Sequence, residues 1–446
     1  MKAHERYRLT CEDLNHEGLG VCKIDRFPIF VPGLLPSEEG IVEIEELKRN
    51  YGYGRVVKHL KSSPSRVEPI CPVFGECGGC QLMHMDYSAQ LAFKKKMAEE
   101  TFKRLGHLDI RVQEVIGMDY PYHFRNKVQV PFRTETGEIR AGFFKRNTHE
   151  IVPLEECFIQ PEAATEVVKT VKNLLDEYEL SAYDEEAHRG WLRHLLIRKT
   201  VSGEYMVVFI TKEKEFPQED LIVKTLISRF PKVKSVLQNI NPEKGNVILG
   251  EESRVLHGSR YLIDELCGLR FRISEKSFFQ TNHVQTEKMY KKILEFASPS
   301  AEDVILDGYS GVGTISLLLA GKARKVYGIE IVPEAVRDAR VNAEMNGIKN
   351  VFFLLGKTEE EIATIREKIN TAVVDPPRKG CDKSLLEAII KRRIGKIVYV
   401  SCNVATLARD LEILAEHYEV CKTILFDMFP QTSEMEAVSL LRLKND

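Results

Sequence analysis

One cysteine closes the apolar, β-branched run Val398-Tyr-Val-Ser-Cys402, and a helix-like segment from Asn403 to Asp410 follows. That pattern puts a thiol at the carboxyl end of a buried strand, the edge at which open α/β sheets hold their ligands. A free cysteine also packs well as a small apolar residue, so position alone assigns no role. Its neighbours in the C-terminal third do. Val304-Ile-Leu-Asp-Gly-Tyr-Ser-Gly311-Val-Gly313 reads as a strand running into a glycine turn, with the helix Ile315 to Ala320 behind it. The glycines let backbone approach a ligand closely, and the helix N-terminus favours negative charge. The next strand ends at Glu330, where an acid can hold both ribose hydroxyls. Gly356-Lys357 ends a third strand, the place for contacts to an adenine, and Asp375-Pro-Pro-Arg-Lys-Gly380 ends a fourth. Proline cannot continue the ladder, so the chain leaves the sheet there. A dinucleotide dehydrogenase would carry a third glycine where this chain has Ser316.

The thiol then needs a reaction. C5 of uracil is too weak a nucleophile to attack a methyl sulfonium directly. A thiolate adding to C6 turns C5 into an enolate carbon that accepts the methyl group, and a base then removes the C5 proton so that the thiol can leave. The scheme asks for a carboxylate near Cys402. Beyond the sheet, the late segment with suitable acids is Phe429-Pro-Gln-Thr-Ser-Glu434-Met-Glu436; as surface acids these two glutamates would need no further role.

A second constellation is Cys71-x5-Cys77-Gly-Gly-Cys80, with Cys157 the obvious fourth member. Four thiolates suit an iron–sulfur cluster or structural zinc. Three close ligands and one remote favour a cubane over the paired knuckles of a zinc ribbon. Radical chemistry with S-adenosylmethionine typically uses Cys-x3-Cys-x2-Cys and leaves one iron open, so four cysteines argue for a closed, structural cluster. Cys11, Cys22, Cys267, Cys381 and Cys421 fit no such pattern and read as packing residues.

The elements that position these groups follow from patterning. The chain has 446 residues, 29% charged, with net charge −2 and ten cysteines, which is room for about two or three domains. The near-zero charge excludes a globally basic protein, so a nucleic-acid surface must be a local patch. There is no apolar leader and no run of roughly 18 apolar residues. A cytoplasmic protein without a membrane is expected, and its cysteines are then no disulfide framework. Residues 1–65 read as short strands with glycine turns, a small β-barrel, with Lys61-Ser-Ser-Pro-Ser65 as linker. Residues 66–284 hold the cysteines, a helix from Ala89 to about Leu105, and mixed strands and helices. Arginines and lysines there stand beside Phe124, Phe132, Phe143 and Phe144, which fits a groove that tracks phosphates and stacks bases. Residues 285–446 alternate strand and helix, as a doubly wound parallel sheet does.

The chain resembles the RNA 5-methyluridine methyltransferase family over nearly its whole length, and most closely the bacterial 23S ribosomal RNA branch. The resemblance implies an α/β protein: an N-terminal OB-like TRAM barrel, a central α+β RNA-binding domain and a C-terminal Rossmann-like methyltransferase domain. It implies S-adenosyl-L-methionine as cofactor, 23S ribosomal RNA as partner, and no obligate protein partner. Cys71, Cys77, Cys80 and Cys157 match ligands of a [4Fe-4S] cluster. Ser274-Glu-Lys-Ser-Phe-Phe-Gln280-Thr-Asn282 resembles the family motif before the sheet, whose glutamine contacts the cofactor. Tyr309, Gly311, Glu330 and Asp375 complete the cofactor positions, and Phe124-Arg-Asn-Lys127 resembles a segment near the flipped base. Cys402 matches the nucleophile and Glu436 the proton acceptor. The chain departs from the family at Asp307-Gly-Tyr-Ser-Gly311, at Val404, and at Glu434, which stands where family members commonly carry histidine. The same chemistry on transfer RNA, an amino-methyltransferase, and a noncatalytic RNA-binding or assembly protein are the competing expectations.

Overall fold

The computed structural model describes residues 1–135 and 137–445. Near the N-terminus six short strands form one sheet in the order Arg6–Thr10, Glu39–Leu47, Gly52–Lys61, Phe27–Val31, Gly20–Ile24, Asp13–Leu14. Alternate side chains turn inward, as period-two strands require, and Leu9, Cys22, Ile29, Val31, Val42 and Ile44 form the barrel core together with Cys11. Cys11 and Cys22 are packing residues, as expected.

A seven-stranded sheet follows, ordered Ile151–Pro153, Glu138–Phe144, Lys127–Glu135, Leu192–Lys199, Tyr205–Thr211, Val233–Ile240, Glu252–Gly258. Helix Glu162–Glu177 puts Val167, Val168, Val171, Leu174 and Leu175 on one face, a helical repeat, and buries them against this sheet.

The C-terminal sheet has eight strands, in the order Val351–Leu355, Lys325–Glu330, Val304–Gly308, Thr371–Val374, Lys396–Ser401, Glu436–Leu443, Tyr418–Phe426, Glu114–Ile116. The first five are parallel and apolar on both faces, because two separate cores cover them. The strand order reverses beside Val304–Gly308, which opens a ligand crevice at the carboxyl edge. Glu436–Leu443 runs antiparallel to its neighbours on both sides.

The eighth strand comes from far upstream. Glu114–Ile116 pairs parallel with Tyr418–Phe426, and helix Tyr87–Leu105 buries Ala98 and Phe102 in the same core as Leu407, Ala408 and Leu411. Residues 87–116, grouped with the central region on sequence, thus pack onto the C-terminal sheet. A three-residue strand carries too little pattern to announce its partner.

Candidate active site

The turn after Val304–Gly308 is built from left-handed backbone: Tyr309 has φ +66°, Gly311 +55° and Gly313 +86°. A Cβ on Gly313 would lie 2.8 Å from the Phe353 ring, so any other residue would have to displace that ring. Glu330 reaches across from the next strand end. Its Oε2 accepts from the Gly311 amide at 3.0 Å and its Oε1 from the Val332 amide at 2.8 Å, which fixes the turn and orients the carboxylate. Ser316, in place of a third glycine, donates its hydroxyl to Asp307. Asp307 is fully buried with Oδ1 unpartnered, and burial pushes its carboxyl up to about 7. Gln280 is buried, its carbonyl accepting from Asn126 Nδ2 at 2.9 Å, and Phe279 beside it packs in one core with Val312 of the turn.

Sheet register joins the two groups the chemistry needs. Ser401 pairs with Ala437 across antiparallel strands, so the next residues outward, Cys402 and Glu436, leave adjacent strands side by side. Asp375, at the end of the neighbouring strand, completes the cluster. Burial, with Glu436 and Asp375 adding and Arg378 opposing, pushes the Cys402 thiol up to about 11. Burial pushes Asp375 up to about 6. Glu436 is 4% exposed with Oε2 unpartnered; burial first, then Asp375 and Glu434, raises its carboxyl well above the usual range. Glu434 differs: it is half-buried and accepts from Arg378 Nη2 at 3.0 Å. Arg378 sits in the Asp-Pro-Pro loop and had no expected role on sequence. The loop motif was the signal for it.

Cys71, Cys77, Cys80 and Cys157 line one cavity of about 350 Å³. No group of three or more His, Cys, Asp or Glu side chains that could hold a metal ion occurs among the described residues. The four cysteines are therefore gathered but not drawn into a metal-binding group, and all are free thiols. Burial raises the Cys77, Cys80 and Cys157 thiols above their ordinary value, the last to about 11. Two cationic side chains that spacing could not connect to them, Arg125 and Lys127, line the same cavity. Arg125 Nε has no hydrogen-bond partner, and the guanidinium lies 5.7 Å from the Phe429 ring of the segment that leads to Glu436.

The family model for tRNA (uracil-5-)-methyltransferase matches residues 86–444, and that for the TRAM domain residues 4–57. The chain belongs to the tRNA (uracil-5-)-methyltransferase family. It is similar to an uncharacterized RNA methyltransferase of Oceanobacillus iheyensis, with 46% identity over 99% of this chain and 97% of that protein. An uncharacterized RNA methyltransferase of Clostridium tetani is 43% identical over 100% of this chain and 98% of that one. Among solved structures it is similar to the Pyrococcus abyssi tRNA (uracil-54, C5)-methyltransferase in complex with S-adenosyl-L-homocysteine. That likeness has TM-score 0.81 and 29% identity, over 97% of this chain and 99% of that one. The chain is thus an RNA uracil-5-methyltransferase with an N-terminal TRAM domain, on the α/β fold of S-adenosylmethionine methyltransferases. No helix among the described residues is long and apolar enough to cross a membrane.

Proposed function

We propose that this family member methylates uridine C5 in 23S ribosomal RNA, with Cys402 as nucleophile, Glu436 as proton acceptor and S-adenosyl-L-methionine as methyl donor. The observation that carries the reading is the register that sets Cys402 beside Glu436 at the crevice edge. Cys402 gives its thiol proton to solvent and bonds through Sγ to C6, making C5 the carbon that would take the donor's methyl group as the sulfonium–methyl bond breaks. Glu436, as the carboxylate, takes the C5 proton, and the Sγ–C6 bond breaks to return the Cys402 thiolate. The raised proton affinity of the Glu436 carboxylate suits that removal. Gln280, Tyr309, Gly311, Glu330 and Asp375 hold the donor, whose sulfonium supplies the methyl group. The target base has to leave its stack to reach so enclosed a pair.

The four-cysteine cavity suits a [4Fe-4S] cluster. Spread around a cavity, four thiols match a bulky anionic group better than a single ion, and Arg125 and Lys127 supply positive charge facing it. When bound, such a cluster supplies cross-linking between Cys157 and the 71–80 segment.

A second reading, transfer RNA as substrate, is favoured by one observation. The Pyrococcus transfer RNA enzyme matches 97% of this chain, so a barrel ahead of the catalytic sheet does not by itself select ribosomal RNA. Mapping 5-methyluridine in both RNAs from a deletion strain tests the two. Loss confined to 23S ribosomal RNA is expected; loss confined to transfer RNA overturns the first reading.

A further inference from the structure

The segment that delivers Glu436 is bent against its own preferences. Gln431 is 2% exposed and adopts φ +69°, a left-handed conformation that non-glycine residues hold only when their surroundings over-determine it. Those surroundings come from two distant parts of the chain. The Gln81 and Leu82 amides, directly after Cys80, both donate to the Gln431 carbonyl, at 3.0 and 2.9 Å. Gln90, on helix Tyr87–Leu105, donates from Nε2 to Gln431 Oε1 at 3.0 Å and accepts from the Gln431 amide at 3.1 Å.

One turn further along that helix lies Lys94, fully buried. Its Nζ donates to Asp427 Oδ1 at 2.5 Å and to the Phe429 carbonyl at 3.2 Å. Asp427 is also fully buried, and its other oxygen accepts from Tyr87 Oη at 2.8 Å. Burial lowers the proton affinity of Lys94, and Asp427, with Glu434 after it, opposes that shift. Burying a lysine and an aspartate together is costly, and hydrophobic residues of similar volume commonly do at least as well for stability. A buried pair that also grips a neighbouring carbonyl fixes position instead.

We propose that Lys94 is a positioning residue for the proton-abstraction step. With Gln90 it clamps residues 427–431, and through Gln81 and Leu82 the same clamp ties the Cys71–Cys80 segment to the base. This rests on the reading of Glu436 as proton acceptor. A misplacement of about 1 Å at a reacting group can cost on the order of 100-fold in rate, and the hydrogen bonds of the clamp go to residues 427–431, the segment that leads to the base.

The test uses the full chain carrying Lys94→Met, which keeps the length and removes the charge, and Gln90→Leu, which leaves the ion pair intact. Each is assayed for S-adenosylmethionine binding, for adduct formation with 5-fluorouridine RNA, and for turnover of natural RNA. Donor binding and adduct formation are expected to stay within about two-fold while turnover falls about ten-fold or more, with a methylated covalent RNA–protein complex accumulating. Turnover at the wild-type rate in folded Lys94→Met overturns the proposal, as does a parallel loss of adduct and turnover in Gln90→Leu. If Lys94→Met fails to fold, Gln90→Leu alone decides. Glu436→Gln separates this from the reading beneath it. If that variant accumulates no complex, the assignment of the base fails, whatever the clamp variants do.

Discussion

At the scale of single residues, the two late carboxylates are separated by what surrounds them. Glu434 is half-exposed and neutralised by Arg378, whereas Glu436 is buried beside Cys402 and Asp375 with one oxygen unpartnered. Glu436→Gln is expected to add Cys402 and transfer the methyl group, then stall as a covalent methylated complex visible on a denaturing gel. Glu434→Gln should turn over within a few-fold of wild type; the opposite pattern would reverse the assignment. Cys402→Ser should form no adduct with 5-fluorouridine RNA, because fluorine cannot leave as a cation and only a thiol adduct is trapped. Asp307 gives a pH prediction. Its folded value, about 7, lies above its ordinary 3.8, so the folded chain keeps a proton that the unfolded chain has already released. Stability from this group is complete below pH 3.8 and is lost as pH rises through about 7. Melting temperatures at pH 5 and pH 8 should differ more in wild type than in Asp307→Asn, and parallel profiles would refute the assignment. The positions of Cys402, Glu330 and Asp375 at strand ends, and of Gly311 in the turn after a strand, were legible in sequence because those strands have recognisable patterns. The Ser316–Asp307 bond and the gathering of Arg125 and Lys127 with four cysteines were not, since contacts between separate elements leave no local periodicity.

At the scale of elements, the five parallel strands were legible as apolar runs between helices, and all five occur where the pattern placed them. The last two long strands, Tyr418–Phe426 and Glu436–Leu443, went unread, although the second carries the candidate base. Their register, not their composition, makes the site: a one-residue slip would turn Glu436 to the opposite face. The clamp on residues 427–431 lies beyond sequence for the same reason, because Lys94 and Asp427 are over 300 residues apart. The glycine turn was legible and its strictness is a matter of space. Gly313→Ala puts a methyl 2.8 Å from the Phe353 ring at φ +86°, a strain of about 1–3 kcal/mol. Melting should fall accordingly, and S-adenosylmethionine affinity should drop more than in Gly347→Ala. Gly347 has φ +67° but nothing within 4 Å of its Cβ position, so it controls for backbone strain alone. Equal losses in the two would show that the cradle tolerates the methyl group.

At the scale of the whole molecule, three large sheets share one chain, and the cysteine segment stands where they meet. Arg146 pairs with Glu17 of the barrel at 3.0 Å, and the Gly78 amide donates to Phe144 of the central sheet at 3.0 Å. Gln81 and Leu82 donate to Gln431, in the segment that leads to strand Glu436–Leu443. A group cross-linking Cys71, Cys77 and Cys80 to Cys157 would therefore stiffen the junction and leave the cofactor crevice untouched, since Glu330 and the glycine turn are held by their own strands. Protein purified without oxygen is expected to be brown and to hold about four irons per chain. Cys77→Ala should lose colour and iron and bind RNA more weakly, while its affinity for S-adenosylmethionine stays within about two-fold, the spread expected of independent sites. Stoichiometric zinc without iron in the anaerobic protein would refute the cluster. Full RNA affinity in an iron-free Cys77→Ala would show instead that hydrogen bonds alone hold the junction.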